Sequence, residues 1–197
     1  MKERPILMAA QPVRAILDGR KTETRRILKT QPEANFIGDE IRSVQLLANG
    51  NFGAFDDCGI TGCVEWKCPY GQPGDRLWVK ETFCVAESPE GEKCYAYRAD
   101  NWTECPSENG KWMPSIFCRR VASRITLEIT AVRVERLNDI SEADAKAEGC
   151  EFDAWSYPQS FTPGKSSYRA LWESINGSES WAKNPWVWVI AFKRITP

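Results

Sequence analysis

The chain has 197 residues, with 26 Lys and Arg, 27 Asp and Glu, and no His, for a formal charge of −1. Without histidine there is no Ser-His-Asp triad, no Cys-His dyad, no His-ligated metal centre and no His-held haem. A proton carrier working near neutrality must then be a Lys, Glu or Cys. At 42% hydrophobic and 27% charged residues, the composition is that of a globular chain long enough for a substantial core.

The near-zero charge hides a segregation. Residues 1–29 carry eight basic side chains against three acids, whereas 139–153 carry six acids (Asp139, Glu142, Asp144, Glu148, Glu151, Asp153) against Lys146. Read alone, this predicts two solvated faces of opposite sign. The apolar run Ile6–Ala10 is cut by Gln11, Pro12 and Arg14, so it makes a poor secretion signal, and no stretch approaches a membrane span. The expectation is a cytoplasmic protein with no membrane partner, whose eight cysteines are free thiols or metal ligands rather than disulfides.

In chain order, Pro12, Val13, Ile16 and Leu17 predict a short helix that Gly19 terminates. Arg20–Leu28 is polar and cationic. Periodicity is poor from Gln31 to Gly71. Pro73-Gly74-Asp75 is a turn signal before a strand at Arg76–Phe83, and Cys84–Cys118 offers one further strand at Cys94–Arg98. Along Ser123–Leu137 the apolar positions move from Ile125, Leu127 and Ile129 to Val132 and Val134, which predicts a bulge near Thr130–Ala131. Ser141 and Asp144 predict a capped helix closed by Gly149. Tyr168, Leu171, Trp172 and Ile175 form one helical stripe ending before Gly177. Trp186–Phe192 is apolar on both parities, as for a strand covered on both faces. The sum is an α+β fold around a barrel or strongly bent sheet, with long irregular insertions.

Gly164-Lys165-Ser166 is not a P-loop, because Gln159 stands where that motif needs glycine. Cys58, Cys63 and Cys68 lack the Cys-x-x-Cys spacing of a zinc site, so free thiols are expected and neither metal nor cofactor is. Trp172, Trp186 and Trp188 read as core; Trp66, Trp102 and Trp112 read as caps under long loops. The sharpest signal is Gly19-Arg20-Lys21-Thr22-Glu23-Thr24-Arg25-Arg26. Cations around Lys21 disfavour its charged form and would make it a base, with the Thr24 hydroxyl as the nucleophile to activate. Their odd separation puts them on opposite faces of a regular strand, so they meet only if a turn follows Gly19.

This segment, the Pro-Gly-Asp turn and the later strand-helix pair resemble the ASCH domain, a PUA-like β-barrel. The stretches Cys68-Pro-Tyr-Gly-Gln-Pro-Gly-Asp-Arg-Leu-Trp-Val-Lys-Glu-Thr and Asn184-Pro-Trp-Val-Trp-Val-Ile resemble its phage and prophage branch. The likeness spans about half the chain, over residues 5–29, 72–82, 119–150 and 168–195. It implies one domain over 1–197, with insertions at about 30–71 and 84–118. The family's Gly-x-Lys-x-x-Glu-x-Arg signature is met by Gly19, Lys21 and Arg26, with Thr24 in place of the glutamate. Lys-x-x-Thr-x-Arg is also the pattern of the small bacterial amidohydrolases that deacetylate N4-acetylcytidine. That resemblance implies catalysis by Lys21, Thr24 and Glu148, with a modified nucleoside or RNA as partner. Arg26, Arg120 and Arg124 are then candidates to hold substrate, and Trp78 and Glu81 to support the site. The alternatives are a PUA-like module that reads RNA or a modified base without chemistry, and a phage accessory protein acting through protein contacts.

Overall fold

The computed structural model describes residues 1–32, 41–56, 59–87, 91–107, 110–150 and 163–195, with the side chains of 56–64 and 163 left aside. Cys58, Cys63, Glu151 and Asp153, singled out above, therefore lie outside the described residues or side chains. The elements are β1 (Glu3–Leu7), α1 (Ala10–Leu17), β2 (Glu23–Ile27), β3 (Ser43–Leu46), β4 (Phe52–Asp56) and β5 (Gly59–Trp66). They continue with β6 (Arg76–Lys80), β7 (Phe83–Glu87), β8 (Lys93–Tyr97), β9 (Thr126–Arg136), α2 (Glu142–Ala147), α3 (Pro163–Asn176) and β10 (Trp186–Ile195). The fold is mixed α+β. Among the described residues no helix is long and apolar enough to cross a membrane.

The main sheet runs β1-β6-β9-β10-β2, parallel between β1 and β6 and antiparallel elsewhere. Its bend lies where the parity of β9 changes. Ala191 faces Ala131 but Phe192 faces Ile129, leaving Thr130 as the extra residue of a bulge. Long β10 is covered on both faces, as its unbroken apolarity predicts. Trp186, Trp188, Ile190 and Phe192 join Val13 and Ile16 of α1 in one core. Val187 and Val189 pack in a second core with Ala145 of α2 and Tyr168 and Trp172 of α3.

A closed barrel is not what forms. Among the described residues no ladder joins β1 to β2, and these two edges are bridged by a side chain instead: Arg26 Nη2 on β2 donates to the Leu7 carbonyl on β1 at 2.6 Å. The segments expected to be irregular also carry order. β3-β4-β5 form an antiparallel sheet and β7-β8 a hairpin. Short strands interrupted by Gly50, Gly53 and Gly59 are too brief and too glycine-rich to show a period. Phe52 of β4 meets Trp188 of β10 edge-on, with ring centroids 5.0 Å apart, so this small sheet shares the main core.

The turn before β6 is the predicted one. The Asp75 amide donates to the Gln72 carbonyl at 2.9 Å, and Gly74 takes φ +88° at the position where a type II turn requires it. The Asp75 carboxylate then fastens β1, accepting from the Lys2 amide at 2.7 Å and from Arg4 Nη1 at 3.0 Å. The Lys2 amide above all, and then Arg4, hold that carboxyl below the usual carboxylate range against the opposing effect of burial. A carboxyl whose folded value is depressed contributes stability above its unfolded value of about 4, and that contribution is lost as the pH falls through the folded value. Asp75→Asn is therefore expected to lower the unfolding midpoint at neutral pH, with the gap to wild type closing in acid. Thermal unfolding across an acid-to-neutral series checks this.

Candidate functional site

The site forms where the rolled sheet fails to close. α1 ends at Leu17, Gly19 takes φ +74°, and the Arg20 and Lys21 amides both donate to the Ala15 carbonyl at 2.9 Å. Lys21 thus lies in the turn before β2, which removes the parity obstacle to its sharing a wall with Thr24. On the other side, the Ser141–Asp144 capping box starts α2 and Glu148 ends it. A backbone bridge pairs Lys21 with Glu148, and the Thr22 amide donates to the Ala147 carbonyl at 2.8 Å. Gly149 (φ +81°) permits the approach: a Cβ there would stand 2.6 Å from Ala15 Cβ and 2.9 Å from Lys21 Cβ.

Side chains complete the join. Lys21 Nζ donates to Glu148 Oε2 at 2.5 Å and to the Glu148 carbonyl at 2.9 Å, with both residues 4% exposed. Arg25, its side chain fully buried, donates to Glu148 Oε1 at 3.4 Å and to Glu135 at 3.3 Å. It also pairs with Glu23 at 3.6 Å and Asp144 at 3.4 Å, and stacks 5.9 Å from the Tyr168 ring centroid. Arg133 spans Glu23, Glu135 and Asp144 from the open side. Burial opposes ionisation of Asp144, but the Ser141 hydroxyl and amide, Arg25 and Arg133 outweigh it and hold the carboxyl below its ordinary range.

The two oppositely charged segments are thus not separate solvated faces; they interlock. Nor do cations crowd Lys21 as the sequence suggests. Arg20 pairs with Asp18 at 2.8 Å, Arg25 is ringed by four carboxylates, and Lys21 itself rests on Glu148.

A cavity of about 250 Å³ opens beside the pair. Lys21, Thr24, Arg25, Arg26 and Glu148 form its polar wall, and Tyr70, Tyr168 and Trp172 its aromatic one. Its rim is apolar: Leu7, Ile27 and Ile175 are 45%, 42% and 61% exposed. Among the described residues, six buried side-chain nitrogen or oxygen atoms have no hydrogen-bond partner. Three of them, Arg25 Nε, Arg26 Nε and Trp172 Nε1, belong to residues on this lining. All three are donors, and each nitrogen is itself buried rather than open to the cavity. Burial, and next the Glu148 carboxylate, push the Tyr168 phenol well above its usual range, keeping it a protonated donor.

Lys21, Thr24, Arg26 and Glu148 are therefore brought to one cavity, while Trp78, Glu81, Arg120 and Arg124 are not on its lining. Two strands, β9 and β10, separate β6 from β2 in the sheet. Arg124 is taken up by buried Glu81 through two 3.0 Å bonds and by Asp100 at 2.7 Å, and it lies 4.0 Å over Tyr97. Arg120 pairs with Glu3 at 3.1 Å, and Trp78 lies under Lys80. Among the cavity residues the sequence did not assign to the site are Tyr70, Arg25, Tyr168 and Trp172. The α3 stripe reads the same for a core face as for a cavity wall. Its only hint is polar: a Tyr and a Trp, whose O–H and N–H need partners when buried. No family model, no curated protein and no solved structure matches the chain.

Breaking a buried ion pair from one side strands the other charge, at a cost of roughly 3–5 kcal/mol, whereas replacing both members is far cheaper. Lys21→Met and Glu148→Leu are each expected to destabilise by about that amount, and the double variant by less than either alone. Denaturant midpoints over the four-member cycle give the answer.

Proposed function

We propose that the cavity hydrolyses an amide on a modified pyrimidine nucleoside such as N4-acetylcytidine, with Thr24 as nucleophile. The observation that carries this reading is the meeting of Lys21, Thr24 and Glu148 on one cavity, with the amine and carboxyl 2.5 Å apart. At that separation, ammonium–carboxylate and amine–carboxylic acid differ by one short proton transfer. From the second form, Lys21 takes the Thr24 proton as the oxygen attacks the acyl carbon, and Glu148 protonates the departing N4 amine. Lys21 is then an ammonium, Glu148 a carboxylate and Thr24 an acyl ester. Water attacks the ester while giving its proton to Glu148, Lys21 returns a proton to Thr24, and the acid leaves. Every group ends as it began.

Among the described residues the Thr24 hydroxyl makes no hydrogen bond to Lys21; contacts of this kind commonly tighten only with substrate bound. In this reading Arg26, anchored on the Leu7 carbonyl and lining the cavity, is the residue that holds the acyl oxygen. N4-acetylcytidine offers two carbonyl acceptors to a wall that carries Lys21, Arg25 and Arg26. The resemblance to the PUA-like ASCH amidohydrolases points the same way. A site that only reads a modified base would use the same cavity, with the Lys21–Glu148 pair serving only to join α2 to the sheet and no acetate released.

Acetate release from N4-acetylcytidine tests the reading. Wild type is expected to turn over. Thr24→Val, which breaks no ion pair, is expected to lose at least about a thousandfold in kcat with an unchanged unfolding midpoint. Glu148→Gln should lose about a hundredfold or more. Wild type that is inert on both the free nucleoside and acetylated RNA would sink the proposal.

A further inference from the structure

We propose that Cys84 and Cys105 form a peroxide-sensitive thiol pair, in which Cys105 meets the oxidant and Cys84 closes a disulfide with it. Neither residue lines the Lys21 cavity, and their chemistry is independent of the hydrolysis proposed there. Cys84 sits on β7 beside Phe83, which exchanges two backbone hydrogen bonds with Met113, at 3.2 and 2.7 Å. In that same segment the Lys111 amide donates to the Ser107 hydroxyl at 3.3 Å. Ser107 Oγ in turn lies 3.1 Å from Cys105 Sγ. The loop that carries Cys105 is thus tied back to β7, and the Cys84 thiol is within hydrogen-bonding reach of both Cys105 and Ser107. The two sulfurs differ in access. Cys84 is 1% exposed, whereas Cys105 is partly exposed on an open cavity of about 460 Å³. Arg98 and Trp112 also line that cavity, the guanidinium 5.5 Å from the indole ring centroid.

The surroundings of each sulfur assign its role. Burial opposes the Cys105 thiolate, but the Ser107 hydroxyl and amide, the Cys84 thiol and Arg98 outweigh it and lower this thiol below its ordinary value. Burial, and then the Cys105 sulfur, push Cys84 up to about 11, so it stays protonated. The thiolate is the form that attacks peroxide. Cys105 sulfur takes one oxygen of hydrogen peroxide as the O–O bond breaks, giving a sulfenic acid and a hydroxide, which regains the proton Cys105 gave to water. Cys84 then attacks that sulfur, the S–O bond breaks, and the departing hydroxide takes the Cys84 proton. Two thiols and one peroxide become one disulfide and two waters, each sulfur oxidised by one electron. Among the described residues the other cysteines lack this combination. Cys68, Cys118 and Cys150 are buried, and burial raises each of them. Cys94 donates its proton to the Ala86 carbonyl at 3.5 Å.

The test treats reduced wild-type protein with hydrogen peroxide, blocks it with iodoacetamide and digests it without reductant for peptide-resolved mass spectrometry. The expected product is a Cys84–Cys105 link, formed at least about tenfold faster than oxidation at any other cysteine. Cys84→Ser, which removes the second thiol, is expected to leave a sulfenic acid on Cys105 that dimedone traps, with thermal unfolding as the check on folding. Wild type whose cysteines all oxidise at similar rates overturns the inference whether or not the variant folds. So does a Cys105 that links to another cysteine or runs on to the sulfinic acid with Cys84 still a thiol. A Cys105→Ser protein in which dimedone marks Cys84 as fast as it marks Cys105 in the other variant overturns it too, because the roles are then not those assigned.

Discussion

A buried ammonium and carboxylate 2.5 Å apart tie residue 21 to residue 148, and the surrounding chain is arranged around that contact. Such a pair contributes little net stability, because desolvation offsets most of the attraction. Here it is kept in place by backbone as well: the bridge between the same two residues, the Thr22–Ala147 hydrogen bond, and a glycine at 149 where any side chain would collide with Ala15 and Lys21. Each supporting feature fixes where Glu148 stands relative to β2. Removing one member would disturb both the site and the join between α2 and the sheet.

Around the pair, the buried charges are matched in a network. Arg25 holds the second oxygen of Glu148 and is itself held by Glu23, Glu135 and Asp144. Arg133 closes the network towards solvent. The main sheet rolls until its outer strands are one side chain apart, and the gap bridged by Arg26 becomes the cavity. Full closure of the barrel would pair the edge of β2 with β1 and leave no space beside Thr24. The open seam and the site are one feature.

Much of this is legible in the sequence where a local rule decides the outcome. The Thr130 bulge follows from a parity change, the double burial of β10 from its unbroken apolarity, and the Pro73-Gly74 turn and Ser141–Asp144 cap from side-chain chemistry. What resists reading is set by distant partners. Lys21 looks crowded by arginines because its neighbours in sequence are cations, whereas its partner in space is the Glu148 carboxylate, 127 residues away. Arg124 looks free to meet a ligand until Glu81 and Asp100 are seen to claim it. The small sheet β3-β4-β5 is hidden by short strands and glycines, and the α3 stripe is ambiguous because core and cavity wall have the same period.

The most direct measurement of the central claim is peptide-resolved mass spectrometry on wild-type protein, acid-quenched during a single turnover of N4-acetylcytidine. The account predicts one acetyl group on the peptide carrying Thr24, rising and then falling as acetate appears, and absent from Thr24→Val. Consumption of the substrate with no acetyl ever found on Thr24, or with the acetyl on Lys21 instead, would contradict it.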